Sequence, residues 1–183
     1  MKYAIELYFD NATEKALDAL ARRVADEGIS TAFLAWQTRP HLTLACLNDV
    51  DEPACIARLE AFAKTHPPLP AHIGSVGMFP DTQTIFATPI MSPAMYAFHA
   101  ELHDRLRGFD TTGWEWYLPG RWVPHCTLAL TRDDPDGAFD RACLTILHGF
   151  EKLSGQFTAI GLGEVTKPAR DIRTIPLTGG TSL

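Results

Sequence analysis

The chain has 183 residues, of which 46% are hydrophobic and 21% charged, with a formal net charge of -6 at pH 7. That length supports one well-packed domain or two small lobes sharing a core, and no low-complexity run marks a disordered stretch. The excess of acid excludes a protein that grips long nucleic acid by bulk attraction, so a polyanionic ligand must meet a local patch or be small. The four cysteines, Cys46, Cys55, Cys126 and Cys143, show neither CxxC spacing nor a disulfide framework. Cys126 and Cys143 sit in apolar stretches, where a free thiol serves as a small core residue. Met1 to Asp10 lacks the basic region and long apolar run of a signal peptide. Nothing approaches the roughly 20 apolar residues of a membrane span, so the chain reads as soluble and cytoplasmic.

In chain order, residues 3–9 are rich in β-formers and bounded by Asp10-Asn11, which predicts a strand. A helix follows from Thr13, with Leu17, Leu20, Ala21 and Val24 on one face and Gly28 as its stop. A strand is expected at 40–47, then a helix from about Pro53 through Ile56, Leu59 and Phe62, ending before Pro67-Pro68. Strands at 72–79 and 84–90 are joined by the turn signal Pro80-Asp81. The pattern then restarts with a helix whose N-cap is Ser92 and whose first residue is Pro93. Its apolar stripe is Met95, Phe98, Leu102 and Leu106. After an aromatic-rich stretch (Trp114, Trp116, Tyr117, Trp122) come a strand at 124–130, a helix near 137–150, and strands near 157–165 and 172–177. Each half thus reads helix, strand, helix, strand, strand, which predicts one bilobal domain over 1–183 with a pseudo-repeat of approximately 12–90 and 92–178.

The repeat carries a motif. Pro40-His41-Leu42-Thr43-Leu44-Ala45 returns as Pro124-His125-Cys126-Thr127-Leu128-Ala129, differing only at the third position. On a strand, alternate side chains share a face. His41 and Thr43 therefore face one way with Leu42 and Leu44 behind them, and His125 and Thr127 face one way with Cys126 and Leu128 behind. With the halves related by a pseudo-twofold axis, the polar faces line a common cleft. Two imidazoles there can divide an in-line displacement at phosphorus, since a pKa of about 6.5 lets acid and base forms coexist near neutrality. Threonine hydroxyls can donate to the non-bridging oxygens. No metal or other cofactor is required.

On these residues the chain resembles the two-histidine (2H) phosphoesterase superfamily, which includes the bacterial 2′-5′ RNA ligase-like proteins and cyclic phosphodiesterases. The signature is a pair of His-x-Thr/Ser-x motifs, matched by His41-Leu42-Thr43-Leu44 and His125-Cys126-Thr127-Leu128. The resemblance implies an α+β bilobal fold in which two antiparallel-type sheets face a central cleft with helices outside. It also implies an enzyme acting on 2′,3′-cyclic or 2′-5′ phosphodiester bonds by hydrolysis or ligation. His41 and His125 would be the acid/base pair, and Thr43 and Thr127 the phosphate binders. Many relatives add an arginine a few residues beyond the second threonine. Here Leu128, Ala129, Leu130 and Thr131 intervene, and a regular strand would turn Arg132 to the opposite face from Thr127.

The phosphate-clamping cation is therefore open among Arg39, Arg121, Lys167, Arg170 and Arg173, with Arg121 the leading candidate. Trp122 leads Trp114, Trp116, Tyr117 and Phe79 as an aromatic to stack a base; simple packing is the competing reading. His99 and His103 stand at i and i+4 on a helix without a third ligand or the HExxH order, so no metal site is expected. The expected substrate is an RNA end or a small cyclic nucleotide. No membrane or protein partner is evident, and the chain is expected to be a monomer. The alternative function is a module that binds a nucleotide or RNA end in the same cleft without turnover.

Overall fold

A computed structural model describes residues 2–109 and 114–180. The chain builds seven strands and four α-helices: β1 (Tyr3–Phe9), α1 (Asn11–Asp26), β2 (His41–Leu47), α2 (Glu52–Ala63), β3 (Leu69–Phe79), β4 (Thr84–Pro89), α3 (Pro93–Arg105), β5 (Cys126–Leu130), α4 (Ala138–Gly149), β6 (Leu153–Glu164) and β7 (Arg170–Pro176). The helix starts are set by side-chain caps. Asp10 accepts from the amides of Ala12 and Thr13, Asp51 from Ala54, and Ser92 from Met95, satisfying donors that a helix's first turn leaves unpaired. Helix α1 buries Leu17, Leu20, Ala21 and Val24, the stripe expected from its spacing.

All strand pairs are antiparallel, in the order β2-β1-β6-β3-β4-β5, with β7 also on β6. The expected pair of sheets is thus replaced by one seven-stranded sheet. Strand length explains the difference. The 12-residue β6 pairs along one edge with β1 and along the other with two strands end to end, β3 at residues 153–157 and β7 at 159–164. It joins β1 on one edge to β3 and β7 on the other by backbone hydrogen bonds.

The outer strands β2 and β5, at opposite ends of the strand order, come into contact, as a strongly twisted sheet allows. Their meeting point is close: the His41 backbone amide reaches the sulfur of Cys126. Helix α1 packs on α4 and the β1–β6–β5 region, and α2 on α3, β6 and β7. The core between sheet and helices includes Ile5, Leu7, Leu17, Leu42, Leu44, Leu59, Phe62, Ile85, Leu128, Ile160 and Leu162. Among the described residues no helix is long and apolar enough to cross a membrane.

Candidate active site

The two motif strands are interrupted at the same place. In the β1–β2 ladder Ile5 faces Ala45 and Glu6 faces Thr43, so Leu44 has no partner. In the β4–β5 ladder Ile85 faces Ala129 and Phe86 faces Thr127, so Leu128 has none. Each motif therefore carries a bulge immediately after its threonine, a device that bends a strand and redirects its side chains. A bulge on an edge strand frees backbone carbonyls, and here they are capped from behind. The Trp122 indole donates Nε1–H to the Thr43 carbonyl at 3.0 Å, and His99 and His103 both reach the Leu44 carbonyl through Nε2, at 3.0 and 3.1 Å.

The motif histidines are held alike. His41 donates Nδ1–H to the carbonyl of Arg39 at 2.7 Å, and His125 donates Nδ1–H to that of Val123, also at 2.7 Å. Both carbonyls lie two residues upstream. Such a bond fixes the tautomer and leaves Nε2 as the second nitrogen, available for chemistry.

Their surroundings differ. His41 Nε2 lies 3.4 Å from Glu6 Oε1, and the other oxygen of Glu6 accepts from the Tyr8 hydroxyl at 2.7 Å. Burial pushes the Tyr8 hydroxyl far up, so it stays a donor. Arg39 lies over the Tyr8 ring, 4.3 Å from its centroid, and forks onto Glu14. His125 instead has an aromatic collar. Phe79, Phe86 and Tyr117 stand 5.0, 5.2 and 6.4 Å from it, centroid to centroid. Burial in this collar lowers the His125 pKa below the ordinary histidine value, and the nearby charge of His41 lowers it further, against the hydrogen bond to Val123.

A cavity of about 290 Å³ opens beside His41, lined among others by Thr43, Thr127, Glu6, Tyr8, Trp36 and Tyr117. His41, Thr43 and Thr127 are thus brought together, with His125 adjoining. Thr43 also hydrogen-bonds the buried Tyr117 hydroxyl, which ties the turn at Glu115–Tyr117 to the first motif.

The remaining candidates are placed elsewhere or already engaged. Trp122 is only 9% exposed and packs behind β2, flat on His99, rather than along the cavity. The Arg121 guanidinium sits on the Glu115 carboxylate and does not line the cavity. Arg170 is bonded to Glu164 at 2.7 Å and Arg173 to Glu60 of α2 at 3.0 Å. Arg132 is exposed just past β5. Trp114 and Trp116 are exposed on the turn that carries Tyr117. Among the described residues no three His, Cys, Asp or Glu side chains are gathered to hold a metal. The residues that sequence reasoning missed are Glu6 and Tyr8. Their signal was alternation within β1, which sets both on the face opposite buried Ile5 and Leu7.

A model of the 2′-5′ RNA ligase superfamily matches residues 9–166. No curated protein matches the chain significantly. Among solved structures, TT0787 of Thermus thermophilus is 18% identical with a TM-score of 0.64, and the match covers 99% of this chain and 100% of that one. LigT of E. coli, crystallised with NADP+, is 13% identical with a TM-score of 0.58 over 97% of each chain. A protein described as a phosphoesterase is 11% identical with a TM-score of 0.57 over 97% and 98%. At these identities the likeness is one of fold.

Proposed function

The chain belongs to the 2′-5′ RNA ligase superfamily, and from that premise we propose that it is a phosphodiesterase that opens 2′,3′-cyclic phosphates on nucleotides or RNA ends. The observation that carries this reading is the shared restraint on the two motif histidines. Both Nδ1 atoms are committed to a carbonyl two residues upstream, so Nε2 is the nitrogen left for a substrate in each, with the Glu6 carboxylate beside that of His41. A nucleotide ligand in the related LigT fits the same expectation for this cleft.

The unequal surroundings support a division of roles. His125, whose charged form is disfavoured by burial and by His41, serves as the general base and takes a proton from water. The resulting hydroxide forms a bond to phosphorus as the bond from phosphorus to one ribose oxygen breaks. That oxygen takes its proton from His41, whose Nε2 lies 3.4 Å from Glu6. Thr43 and Thr127 donate to the non-bridging oxygens as charge builds there. With a 5′-hydroxyl in place of water, the same two histidines perform 2′-5′ ligation. The step leaves His125 protonated and His41 neutral, and proton exchange with solvent water restores both, so the cycle closes without a metal.

The test is hydrolysis of the four nucleoside 2′,3′-cyclic monophosphates and a cyclic-phosphate-ended RNA oligomer, in EDTA, by wild type and His125→Ala. Turnover in wild type that is lost in the variant supports the proposal. Tight binding of the same ligands with no turnover in either would replace it with a binding module.

A further inference from the structure

Away from the motif threonines, the cavity beside His41 is walled by carboxylates and aromatic rings. Part of its floor is bare backbone: β6 places Gly163 in register with Ala4 of β1. A Cβ at Gly163 would stand 3.4 Å from the Glu6 carboxylate. Phe33, Trp36 and Tyr8 supply aromatic surface. The carboxylates in the lining are Glu6, Glu164 and, from β7, Asp171, which pairs in register with Gly163 and so shares its face. Thr174 donates to one oxygen of Asp171 at 3.1 Å. The cations in the lining, Arg39 and Arg170, are each committed to a carboxylate, Glu14 and Glu164 respectively. Exposed Lys167, 5.8 Å from the Trp36 centroid, is outside the lining.

We propose that this cavity receives the nucleobase of the substrate and selects cytosine and adenine, whose exocyclic amine stands where uracil and guanine carry a carbonyl, over uracil. The inference rests on the phosphodiesterase reading of the cleft. A flat heterocycle fits between an aromatic wall and a glycine floor. At about 290 Å³ the cavity is at the low end of the roughly 300–1,000 Å³ of small-molecule sites, which suits one nucleoside rather than an oligomer. The acceptors then choose among bases. Cytosine and uracil differ where one bears an amine and the other a carbonyl on the same ring. An amine donates to Asp171, which faces the cavity from β7, while a carbonyl sets lone pair against lone pair there. Sites built to hydrogen-bond a donor discriminate strongly against an analogue that lacks it.

The experiment compares kcat/KM for cytidine and uridine 2′,3′-cyclic monophosphates, on the full chain, for wild type, Asp171→Asn and Trp36→Ala. Alongside it, calorimetry measures binding of 3′-CMP and 3′-UMP, which needs no turnover. Wild type should favour the cytidine substrate by about tenfold or more. Asp171→Asn should narrow that ratio, because an amide can donate to the uracil carbonyl as well as accept. Trp36→Ala should raise KM for both substrates while leaving the ratio in place. Equal turnover of both, unchanged in Asp171→Asn, would overturn the base pocket and leave the phosphodiesterase reading standing. Absent turnover with selective 3′-CMP binding would do the reverse. Neither turnover nor selective binding would overturn both.

Discussion

The indole of Trp122 lies flat against the imidazole of His99, with centroids 4.0 Å apart and planes 12° from parallel. Each ring then reaches the back of β2, at the Thr43 and Leu44 carbonyls. The first motif is therefore shaped by a buried support that never touches the cavity. Trp122→Phe keeps the apolar bulk but removes the donor, leaving a buried carbonyl unpaired at a cost of about 1–3 kcal/mol. Trp122→Ala also opens a void and should cost about 3–5 kcal/mol. Chemical denaturation of the two variants against wild type checks the order and the sizes.

The same support makes stability depend on pH. Burial, followed by the charge of neighbouring His103, depresses the His99 pKa to about 4; His103 is lowered as well, again chiefly by burial. Above the ordinary value of 6.5, His99 is neutral in both folded and unfolded chains, and its contribution is fully present. As pH falls from 6.5 toward 4, the unfolded chain takes up the proton first and stability drops. The full shift for His99 amounts to roughly 3 kcal/mol. Urea midpoints at pH 7, 6 and 5 should decline, and His99→Phe, which retains a ring on Trp122, should flatten the decline.

Catalysis should follow pH for a different reason. As the proposed base, His125 must be neutral to accept a proton, and its lowered pKa favours the neutral form at acidities where an exposed histidine would be charged. The acidic limb of kcat/KM should therefore lie below pH 6.5. Phe79, 5.0 Å from the ring, is part of what excludes water. Phe79→Ala should let water in and move that limb upward, toward the ordinary value. A full pH–rate profile of both proteins tests the direction.

Replacing either motif histidine should cost about 10²–10⁴ in turnover, the usual yield of a positioned general acid or base. Thr43→Val and Thr127→Val each remove one donor to the phosphate and should cost about tenfold or more in kcat. Chelation should leave wild-type rates unchanged. Steady-state assays with and without EDTA, backed by circular dichroism to confirm folding, check all of these.

Much of this was legible in the residues. The helix cap at Ser92 is a local signal, and the stripe of α1 is a periodic one, so each element could be found from its own stretch of chain. The motif copies could be found because identity of sequence needs no knowledge of pairing. What escaped depends on contacts between distant segments. Alternation assigns a side chain to a face of its strand but does not say which strand lies alongside. Glu6 and Tyr8 belong to β1, outside both copies of the repeat, and join the cavity because their ladder partners are Thr43 and His41. Trp122 sits three residues before His125 and reads as a partner of that motif, yet its hydrogen bond goes to the other one. The bulges at Leu44 and Leu128 leave no mark in composition, since a bulge is a mismatch between two strands.

The continuity of β6 has a mechanical corollary. In a molecule whose halves meet at a flexible joint, the gap between opposed reactive groups is set by how far the joint closes. Here β6 runs unbroken between β1 and the β3–β7 pair, so the approach of the two motif strands follows from the twist accumulated across a hydrogen-bonded lattice. Widening it would mean unwinding that lattice over several rungs.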